Sequence, residues 1–133
     1  MATIFSRIIA GEIPCWKIAE DDRFFAFLDI NPMKRGHTLV VPKQEVNYLF
    51  DLDDKTLGDM QVFAKKVALA IQKAVPCQRV AVMVLGLEVP HAHIHLIPID
   101  SEKDCLLSNP KLQLTPEAFA ATAEAIRNCL AEA

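Results

Sequence analysis

Three of the chain's four histidines lie in His91-Ala92-His93-Ile94-His95-Leu96-Ile97, in strict alternation with apolar residues. Successive side chains of an extended strand point to opposite faces, so the three imidazoles share one face and Ala92, Ile94 and Leu96 share the other. Such a segment needs a core on one side and a use for imidazole on the other. With 133 residues, 52% of them apolar, the chain has enough material to fill one core. A single domain over 1–133 is expected, with the triad-containing part at about 1–100 and a C-terminal extension with a helix over 101–133.

The remaining pattern supplies the partners for that strand. Ile4, Phe5, Ile8 and Ile9 have helical spacing, and Gly11 and Pro14 stop the helix. Trp16 to Ala19 and Phe24 to Leu28 read as a hairpin across the polar turn Glu20-Asp21-Asp22-Arg23. Asp29 to Gly36 has loop chemistry around Asn31-Pro32, and His37 to Val41 reads as a third strand ending at Pro42. Asp53 or Asp54 caps a long helix from near Lys55, with Leu57, Met60, Ala64, Val67, Ala68, Ile71 and Val75 in one stripe and Pro76 at its end. Arg79 to Leu85 suits a central strand, and Ala92 to Ile99 follows after a short connection. Residues 100 to 114 show no period, and Thr115-Pro116-Glu117 starts an amphipathic C-terminal helix. The sum is an α+β fold in which an antiparallel sheet of about five strands packs one face on the long helix.

Charge and cysteine usage exclude several classes. The 14 basic and 17 acidic residues are scattered, giving a net charge of −3, so no basic block is available to coat a nucleic-acid polymer. No window has the roughly 18 apolar residues that would span a bilayer, and the first ten residues lack the layout of a signal peptide. Cys15, Cys77, Cys105 and Cys129 are widely spaced, which predicts free thiols in a reducing cytosol. A cytoplasmic location is therefore the expectation.

Three readings of the histidine run compete. Scattered surface histidines explain one imidazole, not three in alternation. A strand rise of ~3.3 Å puts the α-carbons of His91 and His95 ~13 Å apart, too far to converge on one ion with bonds of ~2 Å. His91 and His93 could chelate a metal as a His-x-His pair, but no further ligand is apparent nearby, and no metal or other cofactor is expected. The third reading makes the central His93 a nucleophile. One imidazole nitrogen is unprotonated near neutral pH, provided the other donates a hydrogen bond, and neighbouring imidazoles can stabilise charge on a phosphate.

The run resembles the motif of the histidine triad (HIT) family, and the likeness extends through most of residues 1–99. Ile4-Phe5-Ser6-Arg7-Ile8-Ile9 with Glu12-Ile13-Pro14 is similar to that family's opening segment. Phe27-Leu28-Asp29-Ile30-Asn31-Pro32 and Gly36-His37-Thr38-Leu39-Val40-Val41-Pro42 match it as well. The resemblance, to the Hint-like bacterial branch, implies a HIT-like fold and a homodimer whose sheets join edge to edge, with the long helix Lys55 to Val75 contributing. It implies a nucleotide-binding hydrolase or transferase of purine nucleoside phosphoramidates or adenylylated compounds, with an AMP or GMP moiety as ligand. It implies that His93 is transiently nucleotidylated, that His95 contacts the α-phosphate, that His91 supports His93, and that His37 joins the cluster. Asp29 would bind the ribose hydroxyls with Ile30 beside it, and Phe5, Ile8 and Phe27 would form the purine pocket.

Taken without the resemblance, Asp29 reads as a turn-capping aspartate, Phe5, Ile8 and Phe27 as core, and His37 as a satisfied strand-end histidine. The chain also departs from the family's pattern before the triad. Val84 stands where an Asn is common, Leu87 where a Gln is common, and Glu88 where a small polar residue often meets the phosphate. The N-terminal cysteines that ligate zinc in some relatives are absent, with Ser6 at one of their places. The altered loop keeps open a nucleotide-binding or scaffold protein of weak activity.

Overall fold

The computed structural model describes residues 2–130, so Met1 and the last three residues of the expected C-terminal extension lie outside the described residues. The chain opens with helix α1 (Ile4–Ile9), whose N-cap is Thr3: its hydroxyl accepts from the Ser6 N–H at 3.0 Å. The turn beyond it takes Gly11 to φ +83°, a left-handed angle that glycine adopts without strain. The hairpin is β1 (Lys17–Glu20) and β2 (Phe24–Leu28). Asp21 Oδ1 closes its turn by accepting from the N–H groups of Arg23 at 2.8 Å and Phe24 at 2.7 Å.

After the Asp29–Gly36 loop come β3 (Thr38–Pro42), the long helix α2 (Asp54–Ala74), β4 (Arg79–Met83), β5 (Ile94–Ile99) and α3 (Pro116–Leu130). The N-cap of α2 is Asp53, accepting from Thr56 N–H, and Thr115 Oγ1 accepts from Ala118 N–H at the start of α3. The five strands form one antiparallel sheet in the order β1-β2-β3-β5-β4.

All five residues of β2 are buried, because both faces of the sheet are covered. Phe24, Ala26 and Leu28 point with Val40, Ala92, Ile94 and Leu96 into the main core, which Met60, Val67 and Ile71 of α2 and Phe119 and Ile126 of α3 complete. Phe25 and Phe27 point the other way, with Leu39 and Val41, and are covered by Phe5 and Ile8 of α1. That second, thinner layer is where the histidines emerge. Among the described residues no helix is long and apolar enough to cross a membrane.

Two expectations need correction. Arg79–Met83 is an edge strand and not a central one, which explains its half-exposed pattern, and ten residues rather than a short connection separate it from β5. Pairing of β5 starts at Ile94, not Ala92, so of the triad only His95 lies on the strand. In the register that pairs Val40 with Ile94, the partner opposite Ala92 is Pro42, which has no N–H to donate. The alternation of faces nevertheless continues back to Ala92, which is buried in the main core while His91 and His93 are buried on the opposite side.

Ile126 is fully buried between α3 and the rest of the core. Ile126→Ala should lower unfolding free energy by about 3 kcal/mol, as cavity-forming substitutions in such positions do. A guanidinium melt showing less than about 1 kcal/mol of loss would mean that α3 is not part of the cooperative core.

Candidate functional site

The segment 91–93, freed from strand pairing, is held by hydrogen bonds whose direction can be deduced. His93 Nδ1 lies 2.7 Å from the carbonyl oxygen of His91. A carbonyl only accepts, so Nδ1 carries the hydrogen and Nε2 keeps its lone pair. His91 Nε2 lies 2.7 Å from the carbonyl of Pro42, so it too is an N–H, and His91 Nδ1 must accept; the Thr3 hydroxyl, at 2.8 Å, is its donor. Burial holds His91 below the ordinary histidine pKa, so this imidazole is neutral at pH 7. The ring of Phe5 stands edge-on to both, with centroids 5.8 Å from His91 and 5.0 Å from His93.

A second chain of bonds runs through His37 and His95. The Met33 N–H donates to His37 Nδ1 at 3.0 Å, leaving the His37 hydrogen on Nε2, which donates to His95 Nδ1 at 3.0 Å. The remaining hydrogen of a neutral His95 is then on Nε2, and His95 is a donor toward whatever occupies the cavity it lines. Burial, reinforced by the charges of His95 and Lys111, lowers the His37 pKa to about 3. Burial, with the charges of His93 and Lys111, lowers His95 to about 4. Asp29 Oδ2 is 3.5 Å from His37 Nε2, a contact that is no ion pair because His37 is neutral. Burial raises the Asp29 carboxyl above its usual value, an effect opposed by the Asn31 N–H on Oδ1 at 2.8 Å and by the charges of His93 and Lys111.

These residues border a cavity of about 530 Å³, within the range that holds small-molecule ligands. Phe5, Ile8, Phe27, Asp29, Ile30, His37, Glu88, His93 and His95 all line it. His91 does not; it stands behind His93. Phe5, Ile8 and Phe27 are at once core and wall, 6%, 9% and 4% exposed, whereas Ile30 at the rim is 68% exposed. The bond pattern removes the His91–His93 chelate considered above, since both nitrogens of His91 are engaged. Asp29, His37 and His95 do bring ligand atoms within 4.8 Å of one another. To bind a metal, His37 Nε2 would need its lone pair, which moves the hydrogen to Nδ1 and against the Met33 N–H. These residues do not fit an ion as they are hydrogen-bonded.

Four participants were not found from the sequence. Thr3 carried a findable signal, a hydroxyl residue directly before an apolar helical segment, which marks an N-cap. The Pro42 carbonyl and the Met33 N–H are backbone groups with no side-chain signature. Lys111, from the aperiodic stretch before α3, lines the cavity with Leu107, its ammonium donating to the carbonyls of Leu107 at 3.3 Å and Asn109 at 3.5 Å.

A HIT-domain family model matches residues 10–102. The chain belongs to the HIT family. It is 35% identical over 132 residues to an adenosine 5′-monophosphoramidase of Schizosaccharomyces pombe, covering 95% of this chain and 96% of that one. It superposes with a TM-score of 0.82 on a HIT-like protein of Bartonella henselae described as involved in cell-cycle regulation, at 32% identity over 96% of this chain and 95% of that one. A zinc-bound histidine triad protein of Mycobacterium smegmatis gives a TM-score of 0.83 at 28% identity, over 99% and 95% of the two chains. The five-stranded sheet with its helices is thus the HIT fold, and named relatives act as nucleotide hydrolases.

The two strongly lowered histidines make a pH prediction. In the unfolded chain His37 and His95 bind protons as pH falls through about 6.5, whereas in the folded HIT domain they remain neutral to about 3 and about 4. The unfolded state therefore binds more protons between those limits, and stability falls as pH drops, by at most ~1.4 kcal/mol per pH unit for each histidine. Denaturation curves between pH 7 and pH 4 should show this slope, and His37→Gln should flatten it; an unchanged slope would refute the assignment.

Proposed function

We propose that this HIT protein hydrolyses purine nucleoside phosphoramidates or related adenylylated compounds through a covalent nucleotidyl intermediate on His93. The observation that carries the reading is the His93 Nδ1–H bond to the His91 carbonyl, which leaves the Nε2 lone pair free on a side chain that lines the cavity. In the first displacement Nε2 attacks the α-phosphorus, a phosphorus–nitrogen bond to His93 forms, and the bond to the leaving amine breaks, the amine taking a proton from solvent. In the second, water adds at phosphorus and gives up a proton to solvent, the His93 nitrogen recovers its electron pair, and the nucleoside monophosphate leaves.

In this reading the purine lies against Phe5, Ile8 and Phe27 with Ile30 at the rim, and Asp29 accepts from the ribose hydroxyls. His95 donates its Nε2–H to a non-bridging oxygen, with His37 fixing that hydrogen's position. Glu88 faces the leaving-group side. The S. pombe phosphoramidase supports the substrate class, and the four free thiols fit a cytoplasmic location.

The test is intact-protein mass spectrometry after brief exposure to adenosine phosphoramidate. A nucleotidyl adduct that is labile in acid, stable in base and mapped to the peptide bearing His93 is expected. His93→Ala should lower kcat by orders of magnitude while AMP binds nearly as before, since the group acts in the transition state. Retention of most activity, or a label on cysteine or serine, would end the proposal. Binding of AMP without turnover by the unmodified protein would favour a nucleotide-binding scaffold instead.

A homodimer belongs to the same reading. β4 offers a free sheet edge with Val82 58% exposed, and Val62 and Leu69, seven residues apart on α2, add exposed apolar surface. Light scattering should give twice the chain's 14.8 kDa; the monomer mass at micromolar concentration would contradict it.

A further inference from the structure

The bonds that hold His91 continue beyond Thr3. Glu45, exposed on the loop after β3, accepts from the Thr3 N–H at 3.0 Å and from the Ser6 hydroxyl. Thr3 Oγ1 accepts from the Ser6 N–H and lies 3.1 Å from Ser6 Oγ, and its hydrogen goes to the nearer His91 Nδ1, at 2.8 Å, which has no hydrogen of its own. The same loop grips the neighbouring residue, since Ala92 N–H donates to the Val46 carbonyl at 2.7 Å. Residues 42–46 thus hold His91 and Ala92 from Pro42 and Val46, and hold the first turn of α1 from Glu45.

We propose that Thr3 and Glu45 are positioning residues for the nucleophile: through the first turn of α1 they hold the His91 ring on the Pro42 carbonyl, which fixes its Nε2–H tautomer, and so keep the His91 carbonyl on the His93 Nδ1–H. The reason is directional. Without a donor at His91 Nδ1, a buried lone pair is left unpaired, and the ring regains a partner there only by turning away from Pro42, since the other tautomer would leave an Nδ1–H unpaired and set a lone pair against the Pro42 carbonyl. That turn displaces the residue 91 backbone, and a His93 without its acceptor places part of its hydrogen on Nε2, where it cannot attack. Glu45 supplies the fixed end of the chain: its carboxylate only accepts, so it takes the Ser6 hydroxyl hydrogen and the Thr3 N–H and anchors the first turn, while the Thr3 hydroxyl hydrogen is directed by the His91 Nδ1 lone pair. Phe5, which contacts both imidazoles, lies on the same helix, so one latch seats the cavity wall and the nucleophile together.

The proposal rests on His93 as nucleophile, and its test has an arm that does not. In full-length protein, Thr3→Val should lower kcat on adenosine phosphoramidate by about tenfold with KM moved less than about threefold, and Thr3→Ser should restore it. Glu45→Ala, at an exposed position that does not threaten folding, should lower kcat by about threefold. Nitrogen-15 NMR of the histidine rings should show single tautomers, Nε2–H at His91 and Nδ1–H at His93, and the His93 signals should become those of a mixture in Thr3→Val and in Glu45→Ala. If the unmodified protein turns over no phosphoramidate, the functional reading fails and the ring signals alone decide this one. Single tautomers and undiminished kcat in both variants would overturn it, as would unchanged ring signals in both when there is no turnover to compare.

Discussion

The site depends on a group that Pro42 lacks. With no N–H at that position, the ladder between β3 and β5 stops at Val40 and Ile94, and residues 91–93 leave the sheet. In a continued ladder Ala92 would pair with Pro42; here the Ala92 N–H donates to the Val46 carbonyl, and in the segment so released the His91 carbonyl takes the His93 Nδ1–H. The carbonyl that Pro42 does retain accepts from His91 instead of from a neighbouring strand. A proline that ends pairing while offering an acceptor therefore turns three strand residues into a supported imidazole pair.

Three of the four imidazoles at the site are held by backbone, His93 and His91 by carbonyls and His37 by an amide, and His37 in turn orients His95. Backbone groups are fixed donors or acceptors, so they specify where each hydrogen sits without a titrating partner. Burial does the rest by making protonation of His37, His91 and His95 costly. In the proposed reaction, anionic charge developing in the cavity meets the oriented His95 Nε2–H and the ammonium of Lys111, an arrangement that needs no reorganisation as charge grows.

The sheet, its helices and the identity of the imidazole-bearing segment were legible because periodicity survives in one sequence. Met60, Ala64, Val67 and Ile71 on α2, and Ala92, Ile94 and Leu96 beside the histidines, declare their buried faces. Edge or centre was not legible for Arg79–Met83, since an apolar edge strand reads like a central one until its neighbours are known. The extent of β5 was misread for a related reason: His91 and His93 keep the strand's alternation, and only the register against Pro42 reveals that they do not pair. Lys111 was invisible because its stretch has no period; its place follows from what lies on either side of it.

The two ends of the chain hold opposite sides of the cavity. Helix α1 seats Phe5 and Ile8 on one wall and clasps His91 through Thr3. On the other, the loop bearing Asp29 is fastened from the C-terminal part: the Leu112 N–H donates to the Pro32 carbonyl at 2.8 Å, and Arg35 Nε donates to Thr122 Oγ1 of α3 at 2.8 Å. Gly36, at φ +96°, turns that loop into β3, and a Cβ there would approach Val75 Cγ2 at 3.0 Å, so the loop also packs closely against the end of α2. The central sheet carries His95, but the ligand-facing geometry around it is set by segments far apart in sequence. Residues beyond 102, outside the stretch that the family model matches, thereby belong to the site's construction as much as the triad does.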